Sequence, residues 1–355
     1  KTDGTLWAWG SNGSGELGNG NTTDYSSPIQ IGTLTNWSQV SCFSNAPAAI
    51  KTDGTLWTWG YNGFGGIGNG SVNFTYSSPI QVGTLTNWKQ VSAGPYHMAS
   101  VKTDGALWSW GQNNNGQVGN GNTTDYSSPV QVGSLANWKQ VACGFGQTLA
   151  IKTDGTLWAW GYNATGQLGI GDVINKSSPV QIPGSWSSIG TYTGQSHSHL
   201  AGIKTDGTLW LWGVNNYGQL GDNTTTNKSS PIQVGTSSWT QVTLGQSHTV
   251  AARSDGTYWA WGFNNYGQLG DYSIINRSSP VQVTSIPTST VVQLMAAETQ
   301  TFAYTTNNYL WVWGRNVEGE LGTNDVVSRS SPVQLGNTST LIAGQYSFVP
   351  AVNVA

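Results

Sequence analysis

The sequence predicts an all-β fold of seven similar sheets, and three observations support this prediction. The segment KTDGTLWAWG at residues 1–10 recurs seven times with small changes, so that a Trp-Gly pair returns about every 50 residues. Each copy consists of short runs of β-branched and aromatic residues separated by Gly, Asn and Asp, without a helical period. The tryptophan-bearing run is apolar on both faces, so neighbouring sheets must cover it. Together these features predict a seven-bladed β-propeller with four antiparallel strands in each blade.

The four strands of one blade can be located in the copy at residues 138–189. In its third strand Trp158 and Trp160 stand two positions apart and share a face, while Leu157 and Ala159 lie on the other face. The Asp-Gly pair before this strand suits a two-residue hairpin, because Asp and Gly tolerate positive φ. The predicted strands, named a to d, cover residues 138–143, 149–152, 156–160 and 178–182.

The two ends of the chain predict how the ring of blades closes. Residues 1–32 contain strands c and d without a and b, whereas residues 339–355 resemble strands a and b alone. We expect these segments to share one blade, which removes free sheet edges and makes residues 1–355 a single domain. Because the sequence begins in the middle of a repeat, we also expect a processed chain or a part of a longer chain or assembly.

Composition narrows the classes of partner and location. Only 8% of the residues are charged and the net charge is −3, which provides no basic surface for nucleic acid. No run of about 18 apolar residues is present, so we do not expect an integral membrane protein. Abundant Gly, Asn, Ser and Thr favour an extracellular, cell-surface or virion location. Cys42 and Cys143 occupy the same position in two separate copies, and we expect two buried free thiols.

The two ends of each predicted blade differ in how strictly they repeat. One end carries the Asp-Gly hairpins, which are almost the same in every copy and indicate a role in folding. The opposite end carries the a–b and c–d connections and is here named the variable rim, because its residues change from copy to copy. Variable loops on a rigid scaffold usually carry recognition, and large aromatic side chains often anchor interfaces. The predicted binding residues on the variable rim are Tyr61, Phe64, Tyr162, Tyr217, Phe263, Tyr266 and Arg315.

The residues that could carry catalysis or hold a metal form no defined constellation. Four histidines come from three blades, without an acidic or thiol ligand at metal-binding spacing, so we expect them to make structural hydrogen bonds: His97, His197, His199 and His248. Three acids fall outside the strict repeat, but Glu16 and Glu320 stand where other copies have Gln, and with Glu318 they define no carboxylate pair for hydrolysis. We therefore predict no catalytic residue, no metal and no cofactor. The cations that end strand b are expected to be solvated at the rim: Lys51, Lys102, Lys152, Lys204 and Arg253.

The repeat resembles that of a known family. Residues 245–270 contain Gly-x-x-His, Asp-Gly, Trp-x-Trp-Gly and Gly-Gln-Leu-Gly in this order, a pattern similar to the repeat of the regulator of chromosome condensation family. The resemblance covers essentially the whole chain and implies a seven-bladed propeller whose last blade is shared by the two termini. Members of this family serve in guanine nucleotide exchange, chromatin docking, β-lactamase inhibition and surface roles, so the resemblance implies no single activity. The even spacing of the copies leaves no room for the binding wedge of an exchange factor, and the sequence has no basic tail.

These observations predict a non-enzymatic recognition or adhesion module that binds a protein or a glycan through the variable rim. The alternative is a structural decoration or spacer in a larger assembly, in which near-identical blades are the functional feature. An exchange factor and a hydrolytic enzyme find less support in the residues.

Overall fold

The computed structural model describes residues 3–42, 46–72, 74–192, 199–288, 291–307 and 309–335, and the regular elements in these ranges are all β-strands. No helix in the described ranges is long and apolar enough to cross a membrane. The chain divides into two compact units. Of the described residues, unit 1 contains those up to 162 together with 175–183, and unit 2 contains 163–174 and those from 184 to 335.

Unit 1 contains one two-stranded sheet and three four-stranded sheets. The two-stranded sheet pairs β1 (Trp7–Gly10) with β2 (Tyr25–Gln30). The first four-stranded sheet is formed by β3 (Trp37–Ser41), β4 (Ala48–Lys51), β5 (Leu56–Tyr61) and β6 (Thr75–Gln81). The second is formed by β7 (Trp88–Ala93), β8 (His97–Lys102), β9 (Leu107–Gly111) and β10 (Tyr126–Gln131). The third is formed by β11 (Trp138–Cys143), β12 (Gln147–Lys152), β13 (Leu157–Gly161) and β14 (Lys176–Ile182).

Unit 2 contains three more sheets. The first is formed by β15 (Trp186–Ile189), β17 (His199–Lys204), β18 (Leu209–Gly213) and β19 (Lys228–Gln233). The second is formed by β20 (Trp239–Leu244), β21 (His248–Arg253), β22 (Tyr258–Gly262) and β23 (Arg277–Val283), with β16 (Thr191–Tyr192) added parallel to β20. The third is formed by β24 (Val291–Ala296), β25 (Gln300–Thr305), β26 (Leu310–Gly314) and β27 (Arg329–Leu335).

The strands of each four-membered set pair antiparallel in chain order, as the sequence predicts for strands a to d. The sheet β1–β2 corresponds to strands c and d of residues 1–32. Its predicted completion by residues 339–355 lies outside the described residues. The single domain over residues 1–355 therefore stays a prediction.

The second tryptophan of strand c bonds to the c–d connection of the preceding copy. Trp160 is buried, and its Nε1 donates to the carbonyl of Gln117 at 2.9 Å. Gly119 lies against the indole, because a Cβ there would be 2.4 Å from Trp160 Nε1 and the backbone has φ +85°. In unit 2 the same bond joins Trp212 to Gln167, also at 2.9 Å. The repeated tryptophan is thus part of the core and also connects one copy to the preceding one.

The Asp-Gly hairpin has three residues, and the predicted two-residue turn was wrong. Between β12 and β13 the Lys152 N–H donates to the Thr156 carbonyl, and the Gly155 N–H donates to the Lys152 carbonyl. Only the glycine has positive φ, at +81°. Asp154 instead accepts the Thr156 N–H at 2.9 Å and its hydroxyl at 2.7 Å, which lowers the pKa of the carboxyl. The aspartate therefore stabilises the turn through hydrogen bonds of its side chain.

The cations that end strand b are enclosed by tryptophan rings, and the prediction of solvated residues was wrong. Lys102 is buried, with Nζ 3.9 Å from the ring centroid of Trp108 and 4.8 Å from that of Trp88. Burial lowers the pKa of this lysine, opposed by the charge of Asp104. This arrangement is a cation–π sandwich between strands a and c. The same geometry recurs at Lys51, Lys152, Lys204 and Arg253.

A buried asparagine closes each c–d connection. Asn264 Nδ2 donates to the carbonyls of Ser273 and Ile275, both at 3.1 Å, and its Oδ1 accepts the N–H of Leu269 at 2.9 Å. The equivalent buried residues are Asn12, Asn62, Asn113, Asn163, Asn215 and Asn316. Asn264 Nδ2 also donates to the side chains of Asp271 at 3.0 Å and Ser273 at 3.3 Å, so the asparagine holds the loop through a few polar side chains as well as through its backbone.

Candidate functional site

The variable rim of unit 1 carries a continuous group of aromatic rings. The ring centroids of Tyr61 and Phe64 are 6.4 Å apart, those of Phe64 and Tyr96 are 5.3 Å apart, and those of Tyr96 and Phe145 are 6.2 Å apart. All three contacts are edge-to-face, the geometry that aromatic pairs prefer. We name these four half-buried residues the unit 1 cluster. They come from three successive sheets.

Tyr96 and Phe145 are the members that the sequence analysis missed. They lie in the a–b connections before β8 and β12, whereas the predicted residues were taken from the segment after each Trp-Gly pair. Tyr162, which was predicted, is half-buried above the same connection and its N–H donates to the Gly146 carbonyl at 2.8 Å. A shallow depression runs beside the cluster and is lined in part by Tyr61, Phe64 and Tyr96. The signal that could have found the missed pair is the variation of residues in the a–b connections.

The variable rim of unit 2 carries a second, more exposed aromatic group. The ring centroids of Tyr217 and Phe263 are 4.9 Å apart, and those of Phe263 and Tyr266 are 6.2 Å apart. Tyr217 is 42% exposed and Tyr266 is 37% exposed. We name these three residues the unit 2 cluster. The structure thus brings together three predicted binding residues from two neighbouring sheets.

Arg315, the remaining predicted residue, lies in a charged group in the third sheet of unit 2. Its guanidinium donates to Glu318 at 3.2 Å and forms a further ion pair with Glu320. Glu320 is buried, and its second carboxylate oxygen accepts the Glu318 N–H at 2.8 Å. Glu298 precedes Thr299, whose carbonyl accepts the Arg315 N–H at 3.0 Å, and burial raises the pKa of the Glu298 carboxyl against the opposing charge of Arg315. We name Glu298, Arg315, Glu318 and Glu320 the charged group.

The described histidines join neighbouring sheets. His248 Nε2 lies 3.0 Å from Thr301 Oγ1, and that hydroxyl donates to the Gln268 carbonyl. The hydroxyl must therefore accept a hydrogen bond from the imidazole, which places the hydrogen on Nε2. His97 and His199 make the same bond to Thr148 and Thr249. This confirms the predicted hydrogen-bonding role, although the bonds connect two sheets and do not shape a loop. His197 lies outside the described residues.

Burial sets the protonation of these histidines and of the cysteines. It lowers the pKa of His97, His199 and His248 to about 3, so each imidazole is neutral at ordinary pH. Cys42 and Cys143 are free thiols, as predicted; Cys143 is buried and Cys42 half-buried. Burial raises the pKa of Cys143 to about 12, so this thiol is unreactive. No group of three or more His, Cys, Asp and Glu side chains in the described ranges could hold a metal ion.

Comparison with known families explains the repeat. The chain matches the regulator of chromosome condensation (RCC1) repeat over residues 3–45, 53–101, 104–151, 154–200, 206–252 and 255–304. The chain belongs to the RCC1 repeat family. A second description of the RCC1 repeat matches residues 88–117, 138–167 and 239–268. The predicted family is thereby confirmed.

Relatives of this RCC1-repeat chain include a plant receptor and two proteins of known structure. The ultraviolet-B receptor UVR8 of Arabidopsis thaliana is 31% identical over 335 residues, which is 92% of this chain and 65% of the length of the receptor. Human WBSCR16 has a TM-score of 0.80 and 21% identity over 93% of both chains. Prp20p of Saccharomyces cerevisiae has a TM-score of 0.80 and 18% identity, over all of this chain and 93% of that one. The two structural similarities, with the seven sheets described above, confirm the predicted seven-bladed β-propeller.

Proposed function

We propose that this RCC1-repeat protein is a non-enzymatic recognition module that binds a protein partner through its variable rim. The observation that supports this most directly is the convergence of aromatic side chains from different copies into two groups of touching rings. The framework does not require aromatic residues there, because Ser11, Gln112 and Val214 occupy the position of Phe263 in other copies. Amphipathic rings held by a rigid scaffold are common anchors of protein interfaces.

Structural relatives support a protein partner. The structure of Prp20p is described together with its binding to Gsp1p and histones, and yeast RCC1 (Prp20) has been crystallised with Kap60 bound. All of these partners are proteins. By analogy, we propose the same class of partner for this chain, although its identity does not follow from a shared fold. A glycan partner, an extracellular or virion location and the absence of enzymatic activity stay predictions from the sequence.

The test is affinity capture with a rim variant and a matched control. The purified chain is immobilised and exposed to extract of the source cells, in parallel with the triple variant Tyr217→Ala, Phe263→Ala, Tyr266→Ala. The control variant carries Leu34→Ala, Leu85→Ala and Leu135→Ala, which removes exposed apolar side chains from the d–a connections at the Asp-Gly end. We expect one protein to be captured by the native chain and by the control but not by the rim variant.

Three results would contradict the proposal. Retention of the partner by the rim variant would show that the aromatic residues are not the binding surface. Binding to a glycan array that depends on the same residues, without any captured protein, would favour the glycan alternative. A blank result in both assays, with the chain co-purifying in a fixed ratio within a larger particle, would favour a structural spacer.

A further inference from the structure

The unit 2 cluster and the charged group form one continuous surface across neighbouring sheets. The Phe263 N–H donates to the Ser247 carbonyl at 2.8 Å, and the next residue back, Gln246, donates its N–H to the Glu298 carbonyl at 3.0 Å. On the far side, the Arg315 N–H donates to the carbonyl of Thr299 at 3.0 Å, and Thr299 follows Glu298 in the chain. Backbone hydrogen bonds therefore fix the aromatic cluster directly beside the charged group.

The charged group is acidic, and no other copy has its three acids. Two carboxylates pair with the single guanidinium and the third, that of Glu298, lies within reach of its charge, so the group carries more negative than positive charge. The residues in place of Glu298 elsewhere include Pro95, Phe145 and Gln246, and those in place of Glu318 include Tyr217 and Tyr266. In a chain with only 8% charged residues, this end of unit 2 is a distinct acidic surface.

The three carboxylates of this group differ in how exposed they are and in how many of their oxygens are already bonded. Glu320 is buried and uses one oxygen for Arg315 and the other for the Glu318 N–H. Glu318 keeps 37% of its side chain exposed despite its contact with Arg315. Glu298 is half-buried, and its raised pKa reflects a carboxylate that a nearby cation would stabilise. Glu318 and the half-buried Glu298 therefore keep exposed surface that a partner can reach.

The aromatic side of the surface has a buried donor beneath it. Gln268 is buried, and its Oε1 accepts the N–H of Tyr266 at 3.1 Å. Its Nε2 makes no hydrogen bond among the described residues. The exposed rings of Tyr217 and Tyr266 supply apolar area, and their faces attract cations. Aromatic faces next to carboxylates suit a side chain that is both cationic and long, such as Lys or Arg.

We propose that this surface binds a protein segment that carries a lysine or arginine beside an apolar side chain. The apolar side chain packs on Tyr217, Phe263 and Tyr266, and the cation lies between Glu298 and Glu318. This inference rests on the proposed function, because it names the chemistry of the partner for the same rim. Sugar hydroxyls also donate to carboxylates, so a preference for the cation over its neutral counterpart is what identifies a basic partner, and an acidic partner would be repelled.

The test uses an array of short synthetic peptides in which Lys or Arg stands next to Leu, Phe or Trp. Each peptide has two counterparts, one with Gln and one with Glu in place of the cation. Four proteins are compared: the native chain, Glu298→Gln with Glu318→Gln, Tyr217→Ala with Tyr266→Ala, and a control with Asp206→Asn and Asp255→Asn. The control removes two carboxylates from the Asp-Gly end of the same unit, and the asparagine oxygen can still accept the turn hydrogen bond.

We expect the native chain and the control to retain basic–apolar peptides in preference to both counterparts. Each of the other two variants should weaken this binding by about tenfold, which corresponds to about 1.4 kcal/mol. Equal thermal unfolding of all four proteins establishes that the variants are folded. Equal binding of the Glu counterparts, or unchanged binding by the Glu298→Gln, Glu318→Gln variant, would overturn the inference.

The failure of this inference can be told apart from failure of the proposed function. If no peptide binds while the captured natural partner is still lost from the Tyr217, Phe263 and Tyr266 variant, the inferred chemistry is wrong and the rim assignment stands. If the partner is also retained by that variant, both are wrong.

Discussion

The unit 1 cluster and the unit 2 cluster are built on the same framework but present different chemistry. In unit 1, Tyr61, Phe64, Tyr96 and Phe145 are half-buried and contact one another edge-to-face. In unit 2, Tyr217 and Tyr266 are more exposed, and a group of carboxylates lies beside them. The comparison teaches that a few substitutions at loop positions are sufficient to give the same rim of similar blades a different surface chemistry.

The largest expected effect tests whether the framework beneath the two clusters is the same. Trp160→Ala in unit 1 and Trp212→Ala in unit 2 each remove a buried indole and its hydrogen bond to the c–d connection of the preceding copy. Each should lower the free energy of unfolding by about 3–5 kcal/mol. Denaturant titration measures this, with native protein as reference. A loss below about 1 kcal/mol in either unit would contradict the buried position of that indole.

The next prediction compares how much the buried histidines of each unit make the free energy of unfolding depend on pH. A histidine with a lowered pKa in the folded state binds its proton only on unfolding, so stability is full above pH 6.5 and falls as the pH drops toward 3. Between pH 7 and pH 5 each buried histidine should cost about 2 kcal/mol of stability. Among the described histidines, unit 2 has two such residues, His199 and His248, whereas unit 1 has His97.

Glutamine variants test this difference, since Gln147 already occupies the histidine position in another copy. Denaturant titrations at pH 7 and pH 5 should show that His199→Gln with His248→Gln removes about twice as much of the acid sensitivity as His97→Gln. Equal acid sensitivity of native protein and variants would contradict the neutral, buried state of these imidazoles.

A smaller effect should distinguish the clusters themselves. Phe64→Ala removes a ring that contacts both Tyr61 and Tyr96, and we expect a loss of about 1–2 kcal/mol. Tyr217→Ala removes a ring that is 42% exposed and should cost less than about 1 kcal/mol. Thermal or denaturant unfolding of the two single variants gives the comparison. The reverse order would mean that the unit 2 cluster is the more structural of the two.

The smallest effect concerns the acidic side chain nearest to solvent. Glu318→Gln should change the free energy of unfolding by no more than about 0.5 kcal/mol, because its ion pair with Arg315 is exposed. Glu298→Gln provides a comparison with a half-buried carboxylate whose raised pKa shows that ionisation is disfavoured there. A loss above about 1 kcal/mol for Glu318→Gln would indicate a stabilising role for the charge.

The repeat predicts the framework well because its rules are local. The alternation of Trp158 with Ala159, the Asp-Gly punctuation and the spacing of the copies are sufficient to locate four strands in each sheet. Two predictions of local structure were wrong, because the contacts that decide them involve more than one strand. Lys102 is enclosed because strands a and c both contribute a tryptophan. The hairpin takes three residues because Asp154 binds the strand that follows and leaves positive φ to the glycine.

The candidate site was predicted only in part, because its assembly depends on which loops of neighbouring sheets meet. The residues after each Trp-Gly pair were recognised, and three of them do converge around Phe263. Tyr96 and Phe145 were missed because they lie in a different connection of the repeat, which meets the c–d connection only in the folded blade. The proximity of Glu298 to Arg315 was missed for the same reason, because the two residues lie in different connections of the repeat.

The asparagine that closes each c–d connection bears on how this protein can change over time. Asn264 holds its loop through the carbonyls of Ser273 and Ile275 and the N–H of Leu269. The clamp also binds the side chains of Asp271 and Ser273, but its bonds do not involve the side chains of Phe263 and Tyr266, so mutations at those two positions are selected mainly for binding. Selection can therefore explore new partners one blade at a time, and the same property would let an engineer graft foreign loops onto this scaffold.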